Sequence, residues 1–282
     1  MSDTLQSHEP LIRLGIFLLV LAAMALWEVL AARREQRIRR WQRWPGNLLI
    51  LVLDTLTVRL LFPLAAVGAA LVAAERGWGL FHLVPAPLWL ALPLSVLLLD
   101  AAIYFQHRLF HAVPWLWRLH RMHHADLEFD VTTGLRFHPL EIVISMGIKV
   151  AVVTLLGAPA VAVLIFEVLL NATSMYNHGN VRLPERLDRR LRLIVVTPDM
   201  HRVHHSIVRC ETDSNFGFNL PWWDRLFGTY RDQPDAGHLN MTIGIAEFRD
   251  PRELRLDRML IQPLLSPKAS SAIQSGRHGS QG

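Results

Sequence analysis

Residues 87–124 read PLWLALPLSVLLLDAAIYFQHRLFHAVPWLWRLHRMHH, and this stretch decides the fold. From Pro87 to Phe105 it is an apolar run close to the ~18–20 residues that a helix needs to cross a bilayer. It continues without a break into His107 and His111. Residues four apart share a helix face, so Asp100, Tyr104, His107 and His111 form one stripe and the histidine pair falls at a membrane surface. Pro114 suits the first turn of a new helix, which carries His120, His123 and His124. Residues 201–205 read HRVHH and repeat the HRMHH of 120–124, with His178 between the two copies. Within each copy the i, i+3, i+4 spacing predicts that the three imidazoles converge on one point. Neutral imidazole is the commonest protein metal ligand, so these nine histidines read as candidate ligands of one polynuclear metal site.

Working outward, residues 1–10 are polar and are expected to lack structure. Residues 11–32 form a first apolar span, too long for a signal peptide and without its basic start, so an uncleaved anchor is expected. Arg33, Arg34, Arg37, Arg39, Arg40 and Arg43 follow it, with Trp41 and Trp44 as interface residues. Such a cluster marks the cytoplasmic side and places the N-terminus outside. Asn47 to Ala74 is a second span, kinked at Pro63, with the ionisable residues Asp54 and Arg59 inside it. Such residues are usually paired, functional or snorkelling to an interface. His82, beyond this span, falls on the opposite side from the clusters. Residues 140–175 hold two apolar stretches split by LGAPA (156–160), a helical hairpin that either crosses or re-enters. Either way both its ends lie on one side, which brings His178 to the same surface as the clusters. Residues 181–197 read as a surface helix. Thr197 is the expected N-cap and Pro198 the first residue of the helix that carries His201, His204 and His205.

The 282 residues are 51% hydrophobic and 19% charged, with nine Trp and a net charge of +5. The positive charge lies beside apolar spans, as a topology signal does, so a nucleic-acid partner is not expected. The single Cys210 excludes an internal disulfide and any multi-cysteine metal cluster. The expected architecture is an all-α integral membrane protein of four to five membrane helices, the hairpin among them, under a cytoplasmic helical cap that carries the histidines. Along the chain this divides into a membrane anchor region (1–94), a catalytic region (95–232), a cytoplasmic segment (233–264) and an unstructured tail (265–282). Arg, Leu and Ala content and compact length fit a bacterial inner-membrane protein.

Nine imidazoles exceed what one ion takes and suit two ions of five or six coordination. Ligand type alone leaves iron, zinc, copper and nickel open. The paired Glu-x-x-His motifs of soluble di-iron bundles and the HExxH protease signature are absent from the sequence. An all-imidazole pair of ions at a membrane face suits O₂ activation by iron better than hydrolysis. Two other classes compete: a membrane haem protein, and a metal-binding or transport protein without catalysis. The first calls for isolated histidine pairs inside the bilayer. The second calls for a site near the midplane.

HRLFH (107–111), HRMHH, RFHPLE (136–141), NHGN (177–180), HRVHH and NFGFNLPWWDRLFGTY (215–230) together resemble the fatty acid hydroxylase / sterol desaturase family of integral-membrane non-haem di-iron enzymes. The resemblance covers about residues 95–232. It implies two irons bound by His107, His111, His120, His123, His124, His178, His201, His204 and His205. His138, Asn180 and Asp224 take outer positions, Asp224 either orienting an imidazole or packing the cap. The implied activity is hydroxylation or desaturation of a lipid C–H bond with O₂ and two electrons; an alkylglycerol (ether lipid) monooxygenase is the alternative. The electrons must come from an external ferredoxin- or cytochrome-type protein or a reduced pterin. The sequence has no GxGxxG fingerprint, no cysteine set for an iron–sulfur cluster and no haem domain.

Overall fold

In the computed structural model, which describes residues 2–266, the regular secondary structure of the described residues is helical, joined by turns and loops. Among the described residues β pairing is limited to two isolated bridges, Ala32–Val181 and Ser206–Ile243. The first helix, α1 (Ser2–Leu30), begins at the chain start and takes in Pro10. The expectation of an unstructured 1–10 is therefore wrong for residues 2–10, the described part of that stretch. Extending a long helix adds one hydrogen bond per residue and needs no new nucleus. The second span is divided at Pro63 into α2 (Arg40–Leu61) and α3 (Ala65–Arg76), because proline has no N–H to donate and its ring clashes with the preceding turn. A short α4 (Leu80–Leu83) leads to α5 (Leu88–Ala112). The α6 helix (Pro114–His124) follows, with Pro114 in its first turn. The hairpin is α7 (Pro139–Leu156) and α8 (Ala160–Asn177). Five segments are long and apolar enough to cross a membrane: Pro10–Leu30, Arg40–Leu83, Leu88–Ala112, Pro139–Leu156 and Ala160–Asn177.

The hairpin tip fixes how deep its arms reach. Gly157 closes α7 at φ +63° and meets Gly79, itself at φ +98°, backbone to backbone. A Cβ on Gly79 would sit 2.1 Å from the Gly157 nitrogen, so only glycine allows this approach. The tip therefore packs on the turn between α3 and α4, at the end of α3 remote from the histidines, and the arms run as deep as α3 does. His82 is exposed at this remote end. An apolar core of Ala66, Val67 and Ala70 (α3), Leu99 and Ile103 (α5), Val153 (α7) and Phe166 (α8) joins the spans. The small α3 side chains let the helices approach closely. Inside the spans Glu167 of α8 pairs with Lys149 of α7 at 2.8 Å and with Arg13 of α1 at 2.5 Å. Asp54 and Arg59 do not pair in this way: Asp54 is buried, whereas Arg59 is exposed.

At the histidine end lie α9 (Glu185–Leu191), α10 (Pro198–His204), α11 (Arg209–Thr212) and α12 (Trp222–Leu226). The helix expected over 181–197 shrinks to α9, because backbone groups at both ends are taken by other segments. Arg182 donates its N–H to Ala31 at 2.8 Å, and Val196 donates to Asn219 at 3.0 Å. Thr197 caps α10 as expected, its side chain accepting from the Met200 amide at 3.3 Å. The arginine cluster after α1 is more than a topology signal. Arg43 is fully buried and clamps Asp126 through two hydrogen bonds of 2.8 and 2.7 Å and Asp130 through one of 2.5 Å. Arg33 holds Asp199, and Arg40 holds Glu28. The tail expected to be unstructured from residue 265 begins with an anchored residue, since Arg121 donates to the Leu265 carbonyl at 2.5 Å. Residues 267–282 lie outside the described residues.

Candidate metal centre

All nine candidate histidines are buried. Their ring nitrogens form two groups, within each of which the nitrogens lie within 4.8 Å of one another. His107, His111, His120, His124 and His204 make one group, and His123, His178, His201 and His205 make the other. The expectation that each His-x-x-His-His triplet converges on one point is therefore wrong. At 3.6 residues per turn, positions i and i+4 lie about 40° apart while i+3 and i+4 lie about 100° apart. The i, i+4 pair of each motif stays together and the middle histidine turns away. Thus His120 and His124 of α6 join the five-membered group and His123 crosses to the other. His201 of α10 and His205, which caps that helix, join the four-membered group, and His204 crosses back. The pair His107–His111 of α5, again i, i+4, completes the group of five. Two copies of one motif therefore interlock, each serving both groups.

The outer nitrogen of most rings is engaged, which fixes its tautomer. The Nδ1–H of His107 donates to the Phe216 carbonyl at 2.9 Å, and that of His204 to Ser214 at 2.7 Å. The Nδ1–H of His123 donates to the Arg136 carbonyl at 3.1 Å, and that of His178 to Ser174 at 2.7 Å. A carbonyl only accepts, so each of these rings, if neutral, carries its lone pair on Nε2. Burial keeps them neutral. Loss of water, followed by the neighbouring imidazoles, holds His123, His124, His201, His204 and His205 well below the usual histidine range, and burial brings His120 and His178 down to about 3. Yet the Nε2 atoms of His123 and His178 face each other at 3.2 Å. Two lone pairs at that distance repel unless a cation lies between them. Further buried ring nitrogens have no hydrogen-bond partner at all: Nε2 of His111 and His204, Nδ1 of His201, and both nitrogens of His124 and His205. Buried polar atoms are rarely left so. Thus the donor set fits metal ions, and imidazole nitrogen suits iron among others.

Two carboxylates that the sequence reading did not single out also touch the rings. Glu141, in the first turn of α7, accepts from His120 Nδ1 at 2.7 Å, and Asp213 accepts from His111 Nδ1 at 3.2 Å. The signal for Glu141 was present: an acidic residue opening an otherwise apolar span needs a partner. Nothing local marks Asp213. Of the outer residues that were expected, none touches a ring of either group. His138 caps α7, accepting from the Leu140 amide at 3.2 Å and reaching the Leu260 carbonyl at 3.3 Å. Asn180 binds the backbone of Arg34 through both ends of its amide. Asp224 accepts from the amides of Phe216 and Gly217 at 2.8 Å each. It thereby holds the strip whose Phe216 carbonyl receives His107. On the membrane side the groups meet aromatic rings. Phe137 stacks on His123 at 4.6 Å, and Phe218 lies 5.9 Å from His107 and 6.0 Å from His201.

Residues 92–229 match the family model described as fatty acid hydroxylase. An ornithine lipid hydroxylase of Rhizobium tropici is 32% identical over 148 residues, covering 52% of this chain and 44% of the relative. The alkylglycerol monooxygenase of Danio rerio is 31% identical over 178 residues, covering 61% of this chain and 38% of the relative. The cholesterol 25-hydroxylase of Homo sapiens is 30% identical over 139 residues, covering 48% of this chain and 49% of the relative. The chain thus spans less than half the length of these relatives. No solved structure matches it.

Proposed function

We propose that the protein, whose residues 92–229 match the fatty acid hydroxylase family model, is a membrane-bound oxidoreductase that hydroxylates or desaturates a C–H bond of a lipid with O₂ and two external electrons. The observation that carries this reading is the pair of buried imidazole groups, with facing Nε2 atoms and unpartnered ring nitrogens. The proposed cofactor is two iron ions, one held by His107, His111, His120, His124 and His204, the other by His123, His178, His201 and His205. Iron so bound supplies O₂ activation and the oxidising power for the C–H bond. The chain's own residues would do the rest. The carbonyls of Phe216, Arg136, Ser174 and Ser214, with Glu141 and Asp213, hold the rings in the ligating tautomer. Phe137 and Phe218, continuous with the apolar core of α3, α5, α7 and α8, keep water from the side that faces the membrane helices.

The substrate in this reading is a membrane lipid. The relatives are named for ornithine lipid, alkylglycerol and cholesterol, which share a large apolar body beside a small polar group. An alkylglycerol monooxygenase activity is the second reading, favoured by the match to that enzyme in several animals. The electron donor is external, a ferredoxin- or cytochrome-type protein or a reduced pterin. The positive residues Arg33, Arg34, Arg37, Arg39 and Arg40 follow α1 at the histidine end, which supports a cytoplasmic site in a bacterial inner membrane. Metal analysis of protein purified under reducing, iron-replete conditions tests the cofactor: about two irons per chain is the expected result. Active protein holding only zinc would end the proposal, as would a Soret band in place of non-haem iron. Lipid profiles of cells with and without the gene then identify the substrate, and identical profiles would count against a lipid.

A further inference from the structure

The segment around α12 does not sit on top of the membrane helices as a cap would. It reaches down beside one of them. Trp223 donates from its indole N–H to Asp100 at 2.8 Å, and the amides of Asn219 and Leu220 reach the same carboxylate at 3.3 Å each. Phe227 stacks on Tyr104 with ring centroids 5.5 Å apart and meets Phe105 edge-on at 5.0 Å. Asp100 and Tyr104 belong to a segment apolar and long enough to cross the membrane. Asp100 precedes His107 by seven residues, about 10 Å along the helix axis at 1.5 Å per residue. The 219–227 segment therefore lies well inside the level of the histidines.

Its outward side is apolar. Leu226 is 70% exposed and Trp222 47%. The Trp222 indole donates to the Leu193 carbonyl at 2.7 Å, which ties in Leu193 and Ile194, both about 60% exposed. Phe105 and Leu109 on α5 are exposed too, so the patch runs directly into the outward face of a membrane helix. The exposed Arg189 and Arg190 of α9 precede Leu193, and exposed Arg225 stands over the Tyr230 ring at 4.2 Å. An apolar face with arginines beside it, at this depth, is the make-up of an element lying in the headgroup–acyl boundary.

We propose that Leu193–Ile194 and Trp222–Phe227 form a foot inserted in the lipid interface of the leaflet at the histidine end, its occupant being bilayer lipid. The foot is wired to the site. The Tyr104 hydroxyl pairs with that of Thr229 at 2.8 Å, Thr229 donates to Asp224 at 2.7 Å, and Asp224 holds the Phe216 strip that receives His107. Lipid contact on one side of this strip thus braces an imidazole on the other.

The test uses the full chain in lipid nanodiscs with Cys210→Ser, which removes the single cysteine, and a spin label at Leu226→Cys. A second label at Asp232→Cys marks the aqueous surface, since that side chain is 64% exposed. Relaxation by O₂ and by a water-soluble nickel chelate gives the depth of each label. The expected result is the 226 label about 5–10 Å below the headgroup level, with the 232 label in water. Equal access of the nickel chelate to both labels would overturn the proposal. So would a 226 label sheltered from both reagents and broadened by a second label, because a second copy would then cover the patch. Leu193→Cys provides the same reading if Leu226→Cys fails to fold. The measurement needs neither metal nor turnover, so its outcome is independent of the oxidation chemistry.

Discussion

The two imidazole groups draw on the same two motifs, yet the protein holds them by different means. In the group of five, two rings lean on carboxylates: His120 on Glu141 and His111 on Asp213. In the group of four no ring has a carboxylate partner; His123 and His178 lean on the carbonyls of Arg136 and Ser174. Those carbonyls are fixed in turn by buried polar contacts. Arg136 donates to Asn47 at 3.1 Å, and Asn47 donates to Asp126, which Arg43 clamps. Ser174 donates to the Gly134 carbonyl at 2.8 Å, and a Cβ on Gly134 would lie 2.6 Å from the Ser174 oxygen. One group therefore has carboxyl groups set behind two of its rings, and the other has neutral dipoles set by a rigid frame. A carboxylate behind an imidazole raises its basicity as a ligand. The group of five should bind a cation more tightly, and each group should fail through its own supports.

The sharpest way to break this comparison is to remove one ring from each group. His124→Ala should empty the group of five and His205→Ala the group of four, each leaving about half of the wild-type metal and no turnover. The interlocking makes a stricter demand. His123→Ala should behave like His205→Ala and unlike its neighbour His124→Ala. The double variant His123→Ala/His205→Ala should lose no more metal than either single change, whereas His124→Ala/His205→Ala should lose all of it. Metal content of protein in nanodiscs decides this, and additive loss for the 123/205 pair would dissolve the partition.

Next in size is the frame beneath the group of four. Arg43→Met leaves Asp126 and Asp130 buried without their cation, and breaking a buried pair in this way costs about 3–5 kcal/mol. The thermal unfolding midpoint should fall accordingly, and the weaker metal should be the one held by the group of four. An unchanged midpoint would show that the Arg43 clamp carries no stability.

These supports were only partly legible in the sequence. The spans announced themselves, because apolar runs of bilayer length have few other uses. Thr197 and Pro198, and Pro114, marked two helix starts through local chemistry that needs no tertiary knowledge. The nine histidines were visible as a set, but their division was read too simply. Spacing of i, i+3 and i+4 says that three residues share a broad face; it does not say where on that face two separate centres lie. The helix at 181–197 was overread because Arg182 and Val196 bond to distant backbone, which a local pattern cannot show. Arg43 looked like one more positive residue after α1, since its partners Asp126 and Asp130 lie more than eighty positions away. The descent of Trp223 to Asp100 was hidden for the same reason.

Smaller effects separate the two carboxylates of the group of five. Glu141 is buried and close to its ring. Glu141→Leu removes both charge and acceptor and should weaken metal at this group by about 100-fold, the upper range for an outer partner. Glu141→Gln keeps an oxygen that accepts from His120 Nδ1 and loses only the charge, so a loss of about 10-fold is expected. Metal titration followed by competition with a chelator measures both. Equal losses would mean that charge matters and orientation does not, while no loss would remove Glu141 from the support of the ring.

Asp213→Asn should have the smallest effect, for reasons visible around the side chain. Asp213 is 35% exposed and lies 3.2 Å from His111 Nδ1, a longer and wetter contact than that of Glu141. Its other oxygen is taken by the exposed Arg209 at 2.5 Å, which offsets part of the charge that His111 would otherwise feel. Water and salt screen what remains. The expected loss of metal affinity is therefore only about threefold, and it should shrink further as salt is raised. The Glu141→Gln effect, shielded by burial, should hardly change with salt. Removing the competitor gives the converse: Arg209→Gln frees the Asp213 carboxylate for His111 and should tighten metal at the group of five by a similarly small factor. If Arg209→Gln weakens the metal instead, then Arg209 serves to hold Asp213 against the ring, and the charge of this carboxylate counts for less than its position.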